Sequence, residues 1–205
     1  MFNQVKQEEC INNLKRLEGK IMCILVVKKK GVDYPGLEQM KNCCKANPHG
    51  FSLSYSYKGR MRTYRTMSER DFLMEFQKIA ERYPCEDVAM ILHARIATHG
   101  TISPHNCHCF QGEGLSFAHN GILPIENRGD LTDSETFFRD YFIPEYRKSH
   151  QFTDKVVNII NNVIGSSKFA FLQPNGYIHY FGNFINEDGL LFSNYSYLPR
   201  LKYYF

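Results

Sequence analysis

Three short segments hold the side chains best suited to chemistry: Met22-Cys23, the run His93-Ala94-Arg95-Ile96-Ala97-Thr98-His99-Gly100, and His119-Asn120-Gly121. A thiol attacks only as its thiolate, so Cys23 needs a base within reach. Were Cys23 the first residue of the chain, it would carry its own, because a free α-amine has a pKa of about 7.7–8.0 and is partly neutral near pH 7. Attack on an amide would create a tetrahedral oxyanion, and one well-placed donor to it is worth on the order of 3–4 kcal/mol. Gly121 permits close backbone approach and positive φ. Taken singly, each residue also has a plainer reading. Cys23 fits a small buried hydrophobe, Arg95 a strand-edge charge with a structural carboxylate partner, and Asn120-Gly121 a hairpin turn.

In sequence order these segments, together with Asn106-Cys107-His108-Cys109-Phe110 and Thr132-Asp133-Ser134-Glu135, resemble the glutaminase domain of class II glutamine amidotransferases of the N-terminal-nucleophile hydrolase type. That family has a Met-Cys start, an Arg-x-Ala-Thr-His-Gly strand end, an Asn-x-His-Pro-Phe loop, a His-Asn-Gly turn and a Ser/Thr-Asp-x-Glu helix start. An ordered set is far more specific than any one motif. Asn47-Pro48-His49-Gly50 and Gly189-Leu190-Leu191-Phe192-Ser193-Asn194 add to the likeness, which is nearest to stand-alone members, many of them phage-encoded.

The resemblance implies glutamine amide hydrolysis through a γ-glutamyl thioester on Cys23, giving glutamate and ammonia without a cofactor or metal. It casts the Asn120 side chain and the Gly121 N–H as oxyanion donors, and Arg95 as a two-pronged clamp on the substrate α-carboxylate. Asp133 would pair with the α-ammonium, while Thr98 and His99 would complete the carboxylate pocket. Read alone, Asp133 is equally a helix cap. The implied fold is α+β, a four-layer αββα sandwich of two antiparallel sheets between helices, spanning residues 23–205. The chain departs from the family pattern at Leu25, where glycine is common nearby, at Ile96 for a frequent tryptophan, at Cys109 for proline, and at His49 for an acid or amide.

Residues 1–22 precede the expected nucleophile. While they remain attached, the Cys23 nitrogen is an amide without a usable basic lone pair, so an inactive chain is expected until they are gone. Either translation begins at Met22 and the initiator methionine is trimmed, or a propeptide is cut. The first is favoured, because Glu18-Gly19 can be encoded by a purine-rich stretch resembling a bacterial ribosome-binding site just ahead of Met22. A retained extension would leave an inactive binding module with the same fold, and another amide or γ-glutamyl compound is the alternative substrate. With the sequence ending at Phe205, the ammonia acceptor is expected to be a separate synthase acting in trans.

The elements that must position these residues are legible in outline. Cys23-Ile24-Leu25-Val26-Val27 is a short β-branched run, read as a buried strand. Leu37, Met40, Cys43 and Cys44 recur at helical spacing until Asn47-Pro48. Phe51 to Tyr57 and Met61 to Met67 alternate around Lys58-Gly59-Arg60, which predicts a hairpin. Ser68, with Glu69 and Asp71 behind it, starts a helix whose core stripe is Phe72, Phe76, Ile79 and Ala80. Val88 to Ile96 is strand-like, Thr98 to Gly114 reads as a loop, and Leu115 to Ala118 is a short strand leading into a His119-Asn120-Gly121 turn. Helices are expected at Ser134 to Tyr146, with Phe137, Phe138 and Tyr141 on one side, and at Thr153 to Ile164, ended by Gly165. Lys168 to Leu172 and Tyr177 to Phe181 flank Pro174-Asn175-Gly176 as a hairpin, and Leu190 to Ser193 is a further strand. Ahead of Met22, Val5, Ile11, Leu14 and Leu17 either line one short amphipathic helix or recur by chance.

Composition narrows the remaining function classes. The chain has 205 residues, enough to bury roughly 70% of its unfolded surface in one core. Hydrophobic residues at 43% and charged residues at 22% exclude a disordered or fibrous chain. The net charge of +4 is modest and the Lys28 to Lys30 run reads as a solvated strand tip, so nucleic-acid binding is not expected. Seven irregularly spaced cysteines fit a reducing cytoplasm better than a disulfide framework. No apolar run approaches the ~18 residues needed to span a bilayer, and Met1 to Ile21 lacks a signal-peptide core, so no membrane partner is expected. His105, Cys107, His108 and Cys109 are zinc-type ligands, but alternate residues of an extended stretch point apart and no Cys-x-x-Cys completes a set.

Overall fold

The computed structural model describes residues 22–97, 101–126, 129 and 131–199. Residues 1–21 of the expected extension, Thr98 and His99 lie outside them. The apolar run after Cys23 forms β1 (Ile24–Lys28), followed by α1 (Leu37–Ala46), the hairpin β2 (Phe51–Tyr57) and β3 (Arg60–Thr66), α2 (Glu69–Arg82) and β4 (Ala89–Ala94). Next come β5 (Phe110–Gly112), β6 (Leu115–Asn120) and α3, which starts as Asp133–Thr136, widens into a π-helical turn at Phe137–Phe142 and closes with Ile143–Tyr146. The chain continues through α4 (Asp154–Ile164), β7 (Lys168–Leu172), β8 (Ile178–Phe181), β9 (Ile185–Glu187) and β10 (Leu190–Phe192). The expected cap at Ser68 forms, its Oγ accepting the Asp71 N–H at 3.2 Å, and Thr153 caps α4 likewise, its Oγ1 accepting the Val156 N–H at 3.4 Å.

The strands make two antiparallel sheets, in the orders β3-β2-β4-β1-β10-β9 and β5-β6-β7-β8. Alternation gives each sheet two faces, and the buried clusters reveal the layers. Met40, Cys43, Phe72 and Phe76 from α1 and α2 pack with Ile24, Val26 and Leu92 on one side of the first sheet. Phe137, Phe142, Val156 and Ile160 from α3 and α4 pack with Phe117, Phe169 and Phe171 of the second. Between the sheets lie Leu25, Val27, Ile91, Ala118, Ala170 and Leu172. The architecture is the αββα sandwich implied by the resemblance. Among the described residues, no helix is long and apolar enough to cross a membrane.

Several local expectations give way. Lys28 is fully buried rather than a solvated tip. Its Nζ donates to the carbonyls of Cys85 at 2.6 Å and Val88 at 2.7 Å and lies 4.5 Å from the centre of the Tyr34 ring. Burial lowers its pKa to about 8. Phe110–Gly112 is a strand inside the expected loop, paired with Leu115–Phe117, and three residues are too few for alternation to register. His119 and Asn120 continue β6, so the chain leaves the sheet only at Gly121. On α3, Tyr141 is exposed and Phe142 takes its expected core place, because the i→i+5 repeat of a π turn stacks residue 142, not 141, under Phe137.

Phe117 is fully buried, with the rings of Phe137, Phe138, Phe169 and Phe171 centred 4.7–5.8 Å away. Phe117→Ala is expected to lower stability by about 3–5 kcal/mol, read as a fall in urea midpoint at unchanged slope. A loss below about 1 kcal/mol would mean that this cluster is loosely packed.

Candidate functional site

β1 runs between two antiparallel neighbours, so its first residues lie beside the last residues of both β4 and β10. Ile24 pairs with Ala94, which sets Cys23 beside Arg95 and Ile96. The thiol accepts the Ile96 N–H and approaches the Ile96 carbonyl, both at 3.4 Å. From the end of β10, Asn194 Nδ2 donates to the Cys23 carbonyl at 2.7 Å. Ser193 Oγ accepts the Leu25 N–H at 2.8 Å, and the Ser193 N–H donates to the Leu25 carbonyl at 2.9 Å. The same Oγ lies 2.7 Å from Asn120 Nδ2, which ties the end of β6 in the second sheet to β1 in the first.

Arg95 is buried, and its Nη1 donates to the Thr101 carbonyl at 2.9 Å. The arm that carries it is clamped by residues ahead of β2. The His49 N–H donates to the Arg95 carbonyl at 2.9 Å, the Arg95 N–H to the Gly50 carbonyl at 2.8 Å, and the Ala97 N–H to His49 Nδ1 at 3.0 Å. Gly50, at φ +128°, sits where a Cβ would lie 2.6 Å from Cys107 Sγ. Gly121 has φ +146°, and a Cβ there would lie 2.9 Å from the Ser167 Cα, so a side chain is excluded by backbone.

Thr132, not Asp133, caps α3: its Oγ1 accepts the Glu135 N–H at 3.2 Å. Asp133 Oδ2 accepts the Leu123 N–H at 2.8 Å, and Oδ1 accepts the Ser134 N–H at 2.7 Å and the Ser134 hydroxyl at 3.1 Å. Burial pushes the Cys23 thiol up to about 11; the Ile96 N–H and the Arg95 charge pull the other way, and Asp133 adds to the rise. Thus Cys23, Arg95 and Asp133 share one electrostatic neighbourhood, and Asn120 with Gly121 joins it through Ser193. Thr98 and His99 lie outside the described residues.

Sequence reasoning assigned no role to Ser193 and Asn194, whose only signal was the likeness of residues 189–194 to the family pattern. It also missed a buried stack of imidazoles behind the site. The His93 and His108 rings stack at 3.9 Å, and His108 lies parallel to His119 at 6.1 Å. The His119 N–H donates to His108 Nδ1 at 3.2 Å, and His119 Nδ1 is 2.7 Å from Ser134 Oγ. Neither ring nitrogen of His93 has a hydrogen-bond partner among the described residues. Burial holds all three neutral, lowering His93 to about 3, His119 to about 4 and His108 well below its usual value. Among the described residues, no three or more His, Cys, Asp or Glu side chains gather as a metal-binding set.

Free histidine titrates near 6.5, so in acid the unfolded chain takes up protons that the folded stack refuses. The stack therefore leaves stability intact above about pH 6.5 and erodes it as pH falls toward about 4, by up to about 1.4 kcal/mol per pH unit for each ring. His93→Phe keeps the stack and removes one titrating ring. Its urea midpoint is expected to depend less steeply on pH across that window, and an unchanged slope would mean that His93 does not titrate on unfolding.

A sequence profile of the family described as glutamine amidotransferases class-II matches residues 21–176. No curated protein matches the chain. Among solved structures, the glutamine phosphoribosylpyrophosphate (PRPP) amidotransferase from B. subtilis, complexed with ADP and GMP, is similar at 16% identity and a TM-score of 0.47. The match covers 74% of this chain and 35% of that one, so this chain spans about a third of its length. A glutamine aminotransferase class-II domain protein from Silicibacter pomeroyi is similar at 14% identity and a TM-score of 0.42, over 74% of this chain and 73% of its own.

Proposed function

The chain belongs to the class-II glutamine amidotransferases, and from that premise we propose that it hydrolyses the amide of glutamine through a γ-glutamyl thioester on Cys23, once Cys23 is the first residue. The observation that carries this reading is the hydrogen-bonded convergence on Cys23. Ile96 holds its sulfur, Asn194 holds its carbonyl, and Ser193 links its neighbour Leu25 to Asn120. The family match begins at residue 21, immediately ahead of Met22-Cys23, which supports a working domain that starts at the cysteine.

Burial keeps the thiol protonated, so attack needs a base beside it. The free α-amine of Cys23 takes the thiol proton, the sulfur adds to the amide carbon, and the carbonyl electron pair moves onto oxygen. The Asn120 carboxamide and the Gly121 N–H donate to that oxyanion. The C–N bond then breaks as the ammonium returns the proton to the leaving nitrogen, and water hydrolyses the thioester through the same relay. The Arg95 guanidinium clamps the α-carboxylate, with Thr98 and His99 completing that pocket. Asp133 receives the α-ammonium on the lone pairs left by Leu123 and Ser134. Ammonia passes to an acceptor.

The decisive comparison is between a chain beginning at Cys23 and one that keeps residues 1–22, each verified by intact mass and incubated with glutamine. The first is expected to release ammonia and glutamate in equal amounts, and the second and Cys23→Ala to release neither. Equal rates from both chains, or no ammonia from the first, would overturn the reading. The kcat/KM of the Cys23-first chain is expected to rise through about pH 7–8, where α-amines titrate. A rise only near 11, the value of the buried thiol with its nitrogen blocked, would exclude the amine as base.

Arg95→Ala is expected to lower kcat/KM for glutamine by about 10- to 100-fold, the equivalent of one charge-assisted hydrogen bond. Arg95→Lys should recover only part of this, since a point charge lacks the two-pronged fork. Glutamine turnover unaffected by Arg95→Ala, with Cys23 still alkylated by iodoacetamide, would point to a different amide as substrate.

A further inference from the structure

Ser193 Oγ has one hydrogen to give and two lone pairs. It accepts the Leu25 N–H, and with Asn120 Nδ2 turned toward it at 2.7 Å it accepts twice. In that orientation the hydroxyl hydrogen has no hydrogen-bond acceptor and Asn120 Oδ1, fully buried, has no donor among the described residues. The two ends of a carboxamide occupy nearly the same shape, so turning Asn120 end for end costs no space. One Ser193 Oγ–H···Oδ1 bond then satisfies both orphaned groups at once. Nδ2 gives up its contact with Ser193 and takes the position that Oδ1 had, where its two hydrogens are left to an arriving acceptor.

We propose that Ser193 is a positioning residue that holds the Asn120 carboxamide by its oxygen, so that the amide nitrogen faces the oxyanion formed at Cys23. The backbone makes this assignment specific. Ser193 is itself fixed by a two-way exchange with Leu25, two residues from the nucleophile, and Asn194 fixes the Cys23 carbonyl. Donor and nucleophile are thereby referenced to the same two-residue segment. Loss of the hydroxyl leaves Asn120 in place on β6 but free to present either end. The inference rests on the Cys23 thioester reading, and deepens it.

The test uses the chain beginning at Cys23 and a probe that needs the oxyanion donors but not the glutamine clamp: acylation of Cys23 by p-nitrophenyl acetate, followed by intact mass, with Cys23→Ala as blank. Alkylation by iodoacetamide, a displacement that forms no oxyanion, is measured beside it. Ser193→Ala is expected to slow acylation by about 10- to 100-fold, the scale for a misaimed oxyanion donor, while alkylation stays within about twofold. Ser193→Thr, which keeps the hydroxyl, should retain the parent rate; Ser193→Cys, which keeps the volume with a weak donor, should follow Ser193→Ala. On an Asn120→Ala background, Ser193→Ala should change acylation by less than about twofold, since both act through one group. With glutamine, the loss should appear in kcat with KM little changed.

Acylation by Ser193→Ala at the parent rate would overturn the proposal. So would an equal fall in alkylation, which would make Ser193 a fold residue only, or losses that multiply with Asn120→Ala. A parent chain that acylates but releases no ammonia from glutamine sinks the substrate reading alone, because the ester comparison still decides the role of Ser193.

Discussion

The register of β1 is the constraint on which the rest of the structure depends. Ile24, Leu25, Val26 and Val27 are all essentially without solvent exposure, alternating between the outer cluster with α1 and α2 and the layer between the sheets. In an antiparallel ladder a slip of one residue would turn every one of these side chains to the opposite face. Leu25 pairs with His93 and Val27 with Leu191, so β1 is locked from both sides at once. A thiol one residue before that run has no freedom to choose its face. Apolar burial fixes where Cys23 Sγ lies, and the polar contacts to Ile96 and Asn194 refine a position already set.

The layer between the sheets is built differently from the outer two, and this bears on the chemistry. The outer layer over the second sheet is crowded with phenylalanine, whereas the inner one carries Ala89, Ala118 and Ala170, with Ser54 of β2 bonded to Ser116 of β6 at 2.7 Å. Small side chains and hydroxyl bridges let the sheets approach closely. That approach brings a short asparagine on one sheet into hydrogen-bonding contact with a serine at the strand end of the other. The histidine stack belongs to the same polar seam. Its nitrogens that have no hydrogen-bond partner among the described residues carry a desolvation cost that a purely apolar filling would avoid, so the interior near the site is not tuned for stability alone.

Much of this was legible in the residues, and the parts that were not share a physical cause. Hairpins with explicit turn chemistry, such as Lys58-Gly59, and helices with capping residues, such as Ser68 and Thr153, lie where local sequence puts them. Lys28 was misread because a lysine at a strand end is ordinarily solvated; the carbonyls that receive it come from residues 85 and 88, far away in sequence. Tyr141 was misplaced because a helical period of 3.6 was assumed where the chain makes a π turn. The thiol, Arg95, Asn120 and Asp133 stood out through motif chemistry. Ser193 did not, because a serine announces nothing until pairing with Leu25 brings it to the site.

The contacts of Cys23 also bear on the base that the proposed thioester chemistry needs. Among the described residues the thiol hydrogen-bonds only to Ile96 backbone groups; His93, His108 and His119 are engaged with one another and held neutral by burial, and His49 Nδ1 already accepts the Ala97 N–H. Burial outweighs every other influence on the thiol; Arg95 favours the thiolate more than Asp133 opposes it, yet the proton stays on the sulfur. A positive charge on a free nitrogen of residue 23, within the same residue as the sulfur, would add to the pull of Arg95. On the proposed reading, thiol and amine would titrate as one coupled pair, and the proton leaving the sulfur would not have to cross the buried interior to find its acceptor.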